Sequence, residues 1–128
     1  MKLILTTLII LILLSCKKEE NRSCFKSIGA SSSKEIYVSP FEELVLSSDI
    51  NYVLFIDAVN KVIVKSGKNL LNFVSVDRTG KVLTIENKND CSFLRNYKDD
   101  ISVEIHVSDL KKISFSGSKM LKSTTPIQ

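Results

Sequence analysis

Residues Ile101-Ser102-Val103-Glu104-Ile105-His106-Val107 alternate apolar and polar without interruption. That period of two puts four aliphatic side chains on one face of a β-strand and Ser102, Glu104 and His106 on the other, whereas a helix would scatter them around its circumference. Further short runs rich in Val, Ile, Leu and Phe recur from Glu35 onward: Ile36–Val38, Glu43–Ser47, Asn51–Asp57, Lys61–Lys65, Phe73–Asp77, Val82–Asn87 and Ile113–Ser116. Polar turn residues separate them at a spacing of about ten, the mark of an all-β chain. Between Phe73–Asp77 and Val82–Asn87 the residues Arg78-Thr79-Gly80 supply a hairpin turn, with Gly80 free to take positive φ. Only Lys68–Leu71 and the segment before Phe41-Glu42-Glu43 offer room for a helical turn.

The N-terminus follows different rules. From Leu3 to Ser15 the chain has no charge, and this run of 13 residues ends at Cys16-Lys17-Lys18-Glu19-Glu20. A spanning helix needs ~20 apolar residues, so the stretch with its single preceding Lys2 reads as a secretory signal. Leu13-Leu14-Ser15-Cys16 resembles the lipobox of bacterial lipoproteins, with an aliphatic residue three before the Cys and a small one directly before it. The resemblance implies cleavage before Cys16 and acylation of its thiol and amine, palmitate among the usual chains; Leu14 is bulkier than the usual residue. Two or more acyl chains anchor a soluble domain stably. The expected organisation is a signal peptide over 1–15, a lipidated tether over 16–35 and a β domain over 36–128.

Removing residues 1–15 takes away Lys2 alone among the charges, leaving 17 basic against 14 acidic side chains, a net +3. Export makes nucleic acid an unexpected partner despite the sequence pI near 9.0. With Cys16 lipidated, Cys24 and Cys91 remain as an even pair in a disulfide-permissive compartment. They are either bridged, closing a loop of 68 residues counted inclusively for roughly 4 kcal/mol by chain entropy, or two buried thiols. One His, no Cys-x-x-Cys pair and no glycine-rich phosphate loop leave no basis for a metal site, redox chemistry or a nucleotide cofactor.

The order of the β runs resembles the family called putative auto-transporter adhesin, head GIN domain. The resemblance rests on Phe41-Glu42-Glu43-Leu44, the strand Asn51–Asp57, the Lys61–Val64 run, Asn69-Leu70-Leu71, a hairpin closing in Leu83-Thr84-Ile85, and the phrase Leu110-Lys111-Lys112-Ile113-Ser114-Phe115-Ser116-Gly117-Ser118. It covers roughly residues 24–127. It implies an all-β fold in which short antiparallel hairpins lead into a right-handed parallel β-helix. Family domains continue with further strand rungs where this sequence stops at Gln128, so the chain corresponds to a first part, with Ile113–Ser116 as an open edge. Cys-Phe-Lys-Ser phrases and a Cys followed by an aromatic, Arg and Tyr-Lys in similar lipoproteins resemble Cys24–Ser27 and Cys91–Lys98, which favours pairing of Cys24 with Cys91.

Catalytic patterns are thin. Ser31-Ser32-Ser33-Lys34, Ser48-Asp49 and Lys65-Ser66-Gly67 mimic the three elements of penicillin-binding enzymes, but Ile50 stands where that pattern needs Asn and the first element lies in a polar tether. Glu104 shares the exposed strand face of His106, which reads as a solvated histidine without a nucleophile. Asp99-Asp100 lacks the alternating loop that calcium requires. The loop carrying Phe93, Arg95, Tyr97 and Lys98 has the aromatic and cationic mix of a binding surface, or packs on the disulfide. The expectation is an outer-membrane lipoprotein, held by its N-terminal lipid and binding a glycan or protein without catalysis. A periplasm-facing structural or regulatory protein is the alternative. A carbohydrate-active β-helix enzyme is a further alternative resting on fold analogy alone.

Overall fold

In a computed structural model of the chain, the described residues are 27–47, 49–89 and 101–124. They form nine strands and one short 3₁₀ turn, in two mixed sheets with no closed barrel. The strands are β1 (Ser31–Tyr37), β2 (Glu43–Ser47), β3 (Asn51–Ile56), β4 (Lys61–Gly67), β5 (Val74–Thr79), β6 (Val82–Asn87), β7 (Ser102–Val107), β8 (Lys112–Ser116) and β9 (Leu121–Ser123). One sheet runs β1-β4-β7-β3-β9 and the other β5-β6-β2-β8.

The alternation in the sequence does what its period requires. Leu44, Leu46, Leu54, Val62, Val64, Leu83, Ile85, Val103 and Ile105 are each no more than 1% exposed. They form the core together with Phe41, Ile50, Tyr52, Leu70, Leu71, Val74, Ile101 and Val107. Tyr52 is the one large polar-tipped side chain in this core. Its hydroxyl donates to the Ser47 carbonyl at 2.8 Å and reaches the Ile85 carbonyl at 3.4 Å, linking one sheet to the other. Burial pushes its pKa well above the ordinary tyrosine value.

The chain passes from the four-stranded sheet to the five-stranded one at β2–β3, at β6–β7 and again at β8–β9. These three two-strand units stack by parallel ladders, β2 with both β6 and β8, β3 with both β7 and β9. The stacking order departs from sequence order, because the β2–β3 unit sits between the other two. At one end of the stack the ladders turn antiparallel: β5 pairs with β6, and β4 pairs with β7 and β1. The β5–β6 hairpin closes through Gly80 at φ +60°, as the sequence predicts. At the other end β8 and β9 are the edges of their sheets.

Three local expectations change. β1 begins at Ser31, so residues 31–35 of the expected tether are strand; pairing to all seven residues of β4 supplies the main-chain bonds that a serine-rich segment does not advertise. The helical turn near Lys68–Leu71 is a 3₁₀ turn at Leu71–Phe73, and the residues before Phe41 are not helical. The short strand β9 was unexpected.

Candidate binding surface

The solvent face of the five-stranded sheet is the part of the molecule where registered strands bring chemically varied side chains together. Tyr37, Lys61, His106 and Phe55 are successive register partners across β1, β4, β7 and β3. They point away from the core because the neighbours Val62, Ile105 and Leu54 point inward, and the half-buried Ile36 is registered with Val62. At ~4.8 Å per strand this row spans roughly 14 Å. The next row reads Glu35, Ile63, Glu104, Val53 and Lys122, and a third reads Ser33, Lys65, Ser102 and Asn51.

Much of this face is already paired. His106 stacks on Phe55, with ring centroids 4.8 Å apart and planes 10° from parallel. Its Nδ1 lies 3.0 Å from Asp57 Oδ2. That hydrogen bond is the main reason the Asp57 carboxyl sits below its ordinary range. Asp57 is itself placed by its amide donating to the Val107 carbonyl at 3.0 Å. Lys61 meets Glu35 at 3.3 Å, and Lys65 pairs with Glu104. Glu35 also accepts from the Tyr37 hydroxyl, which lowers the carboxyl and raises the phenol; Lys61 lowers the carboxyl further. The Tyr37 side of the row remains open to solvent, 72% exposed.

The histidine therefore differs from its sequence reading. It is held between a ring and a carboxylate with 15% of its side chain exposed, and Glu104 serves Lys65 instead. Tyr37, Phe55, Asp57 and Lys61 carry no motif that marks them as a group; only register assembles them. The row offers a ring face, a phenol, an ammonium and a buttressed imidazole for stacking and hydrogen bonding. The three serines of one pseudo-motif, Ser31 to Ser33, do lie opposite Gly67, Ser66 and Lys65, with Lys34 opposite Val64. They form an antiparallel ladder at a sheet edge, which lacks the helix start that such a nucleophile needs. Cys16, Cys24, Cys91, Phe93, Arg95, Tyr97, Lys98, Asp99 and Asp100 lie outside the described residues. Among the described residues no group of three or more His, Cys, Asp or Glu side chains is arranged to hold a metal ion, and no helix is long and apolar enough to cross a membrane.

Comparison with known proteins places the fold. A crystal structure titled as a putative adhesin from Parabacteroides distasonis matches with a TM-score of 0.58 and 22% identity, over 74% of this chain and 40% of that one. A putative adhesin from Parabacteroides merdae gives a TM-score of 0.57 at 19% identity, again over 74% and 40%. A second Parabacteroides distasonis structure, titled a putative lipid binding protein, gives 0.55 at 21%, over 73% and 41%. The chain thus spans about two fifths of the length of these structures. No curated protein matches it. Residues 40–128 match the family described as "Putative auto-transporter adhesin, head GIN domain", and the chain belongs to that family.

Proposed function

We propose that the protein is a cell-envelope lipoprotein that displays a non-enzymatic binding domain, anchored through acylated Cys16 and engaging a glycan or protein ligand. The observation that carries the binding role is the row Tyr37, Lys61, His106 and Phe55, a sheet face with an exposed ring at one end and buttressed polar groups along it. Preorganised surfaces with aromatic anchors lose little entropy on binding. In this reading the three parallel two-strand units are the start of a β-solenoid, and Cys24 is bridged to Cys91.

The test of binding is retention of the purified domain on a glycan array and on outer-membrane protein extracts. Tyr37→Ala with Phe55→Ala should abolish retention while the thermal midpoint stays within a few degrees. Retention unchanged in that variant would sink the assignment of the face. Palmitate labelling of expressing cells, lost in Cys16→Ser, tests the anchor. Full labelling of Cys24 and Cys91 by a thiol reagent in the folded, oxidised protein would refute the bridge. Protease shaving of intact cells separates surface display from a periplasm-facing role.

A further inference from the structure

His106 is the single histidine of the chain, and its surroundings fix which of its two ring nitrogens carries the proton. The Asp57 carboxyl lies below its ordinary range, with the His106 hydrogen bond as the largest cause, so at neutral pH it is a carboxylate and can only accept. The 3.0 Å contact between His106 Nδ1 and Asp57 Oδ2 is therefore a donation from Nδ1–H. A neutral imidazole has one N–H, which leaves Nε2 as a lone-pair acceptor. Among the described residues no hydrogen bond reaches Nε2. One ring face is stacked on Phe55. What remains for approach is the other face, toward Lys61 across the β4–β7 ladder, and the Nε2 edge.

The neighbour across that ladder is a donor. Lys61 is the direct register partner of His106, and side chains so opposed have Cβ atoms ~4.5–5.5 Å apart. Its Nζ meets Glu35 at 3.3 Å, and an ammonium has three protons to give. The carboxylates of this face are each engaged, Glu35 with Lys61, Glu104 with Lys65 and Asp57 with His106. The row thus sets an acceptor, Nε2, beside a donor, Lys61 Nζ, with the exposed Tyr37 ring beyond them. Two hydroxyls on neighbouring carbons of a sugar can donate to the first and accept from the second, whereas a carboxylate offers only lone pairs and would meet the lone pair of Nε2. Strands added beyond β9 would extend this sheet in its own plane and leave the outer face as it is.

We propose that His106 sets the ligand class of this face at neutral pH, a neutral, hydroxyl-rich glycan with one hydroxyl donating to Nε2 and an adjacent one accepting from Lys61 Nζ. The inference rests on the binding role proposed above for the row from Tyr37 to Phe55. Asp57 is a positioning residue, acting through His106 by fixing its tautomer. Protonation turns Nε2 into a donor and sets a second positive charge beside Lys61, so acid moves the preference toward a carboxylate-bearing glycan. The charged and titratable groups around His106 are Asp57 from the end of β3, Lys61 and Lys65 from β4, Glu104 on β7 itself, and Glu35 and Tyr37 from β1. Among these residue types histidine is the one that ordinarily changes charge between pH 7.5 and 5.5. Glu35 and Asp57 stay ionised across that window, and Tyr37, raised by Glu35, stays neutral.

The probes are immobilised dextran, mannan and galactan, which are neutral, and polygalacturonate, which carries carboxylates. Retention of the full chain on each is measured at pH 7.5 and 5.5. At pH 7.5 at least one neutral polymer should hold the chain, and polygalacturonate should hold it more weakly. At pH 5.5 the ratio of neutral to acidic retention should fall about fivefold, a change worth ~1 kcal/mol. His106→Asn, whose amide can still donate to Asp57 but has no atom at the Nε2 position, should lose the preference and its pH dependence together. Nitrogen-15 NMR of the unliganded parent protein at pH 7.5 should show the proton on Nδ1, a reading that needs neither ligand nor variant. A proton on Nε2, stronger retention on polygalacturonate at pH 7.5, a ratio indifferent to pH, or a His106→Asn protein that behaves like the parent would each overturn the inference. Retention on none of the four polymers would overturn it too, while an outer-membrane extract still held through Tyr37 and Phe55 would leave the binding role of the face standing.

Discussion

Gly67 closes the corner where the chain entering β1 crosses the end of β4, and replacing it with alanine tests how rigid that corner is. A Cβ built there lies 2.3 Å from the Ile28 carbonyl oxygen, 2.7 Å from its carbon and 2.8 Å from the Ile28 Cβ. Relief requires a backbone shift of about 1 Å, because non-bonded atoms settle nearer 3.5 Å. The Ile28 carbonyl is poorly placed to give way: it accepts from the Asn69 amide at 3.0 Å, while Asn69 Nδ2 donates to the Ser27 carbonyl at 2.8 Å and the Lys68 amide to the Ala30 carbonyl at 2.9 Å. Overpacking costs about 1–3 kcal/mol, and losing the Asn69 bond adds about 1 kcal/mol. Gly67→Ala should therefore destabilise by roughly 2–4 kcal/mol and lower the melting midpoint by ~10 °C or more for a domain of this size. The measurement is a circular-dichroism melt with limited proteolysis near residue 30, where β1 should become the first cleavage site. Gly80 is the control, since nothing lies within 4 Å of a Cβ there and its requirement is conformational, φ +60°. Gly80→Asn should be tolerated because Asn adopts the left-handed region comparatively well, whereas Gly67→Asn should be as harmful as Gly67→Ala. A Gly67→Ala protein that melts within 2–3 °C of the parent, a shift worth well under 1 kcal/mol, would show that the corner yields and that the steric argument is wrong.

Tyr52→Phe removes a buried hydroxyl that satisfies the Ser47 and Ile85 carbonyls, and a loss of about 1–2 kcal/mol in urea unfolding is expected; an unchanged midpoint would refute the inter-sheet link. Glu35, Glu42 and Asp57 all have folded pKa values below their ordinary ones. Their contribution is therefore present above the unfolded carboxyl range, about 3.9–4.3, and is lost as pH falls through the folded values. An acid titration of stability should steepen below about pH 4, and Glu42→Gln should flatten it; a parallel curve would remove Glu42 from the account. His106→Ala should lower the melting midpoint modestly, through the lost stacking on Phe55 more than through the half-exposed Asp57 pair, while the Asp57 carboxyl returns upward toward its ordinary pKa in a proton NMR titration.

Period-two alternation is a local property, and it was enough to determine the strand character of β2, β3, β4, β6 and β7, the inward set Ile101, Val103, Ile105 and Val107, and the turn at Gly80. Where burial is one-sided, each residue's face follows from its neighbours alone. The first five residues of β1 and all of β9 escaped for a related reason: Ser31 to Glu35 and Leu121 to Ser123 sit at sheet edges, where few side chains are buried and pairing to a distant strand decides the conformation. Beyond the β5–β6 hairpin, the residue pattern does not say which strand pairs with which. β7 lies between β3 and β4, although those two are consecutive, and the β2–β3 unit lies in the middle of the stack. That choice brings His106 to Phe55 and Asp57, and Glu42 between Lys81 and Lys111, across 39 to 69 residues of chain. Such meetings depend on long-range register, which the tertiary structure sets by closing one core between two sheets, and no local pattern in the chain encodes them.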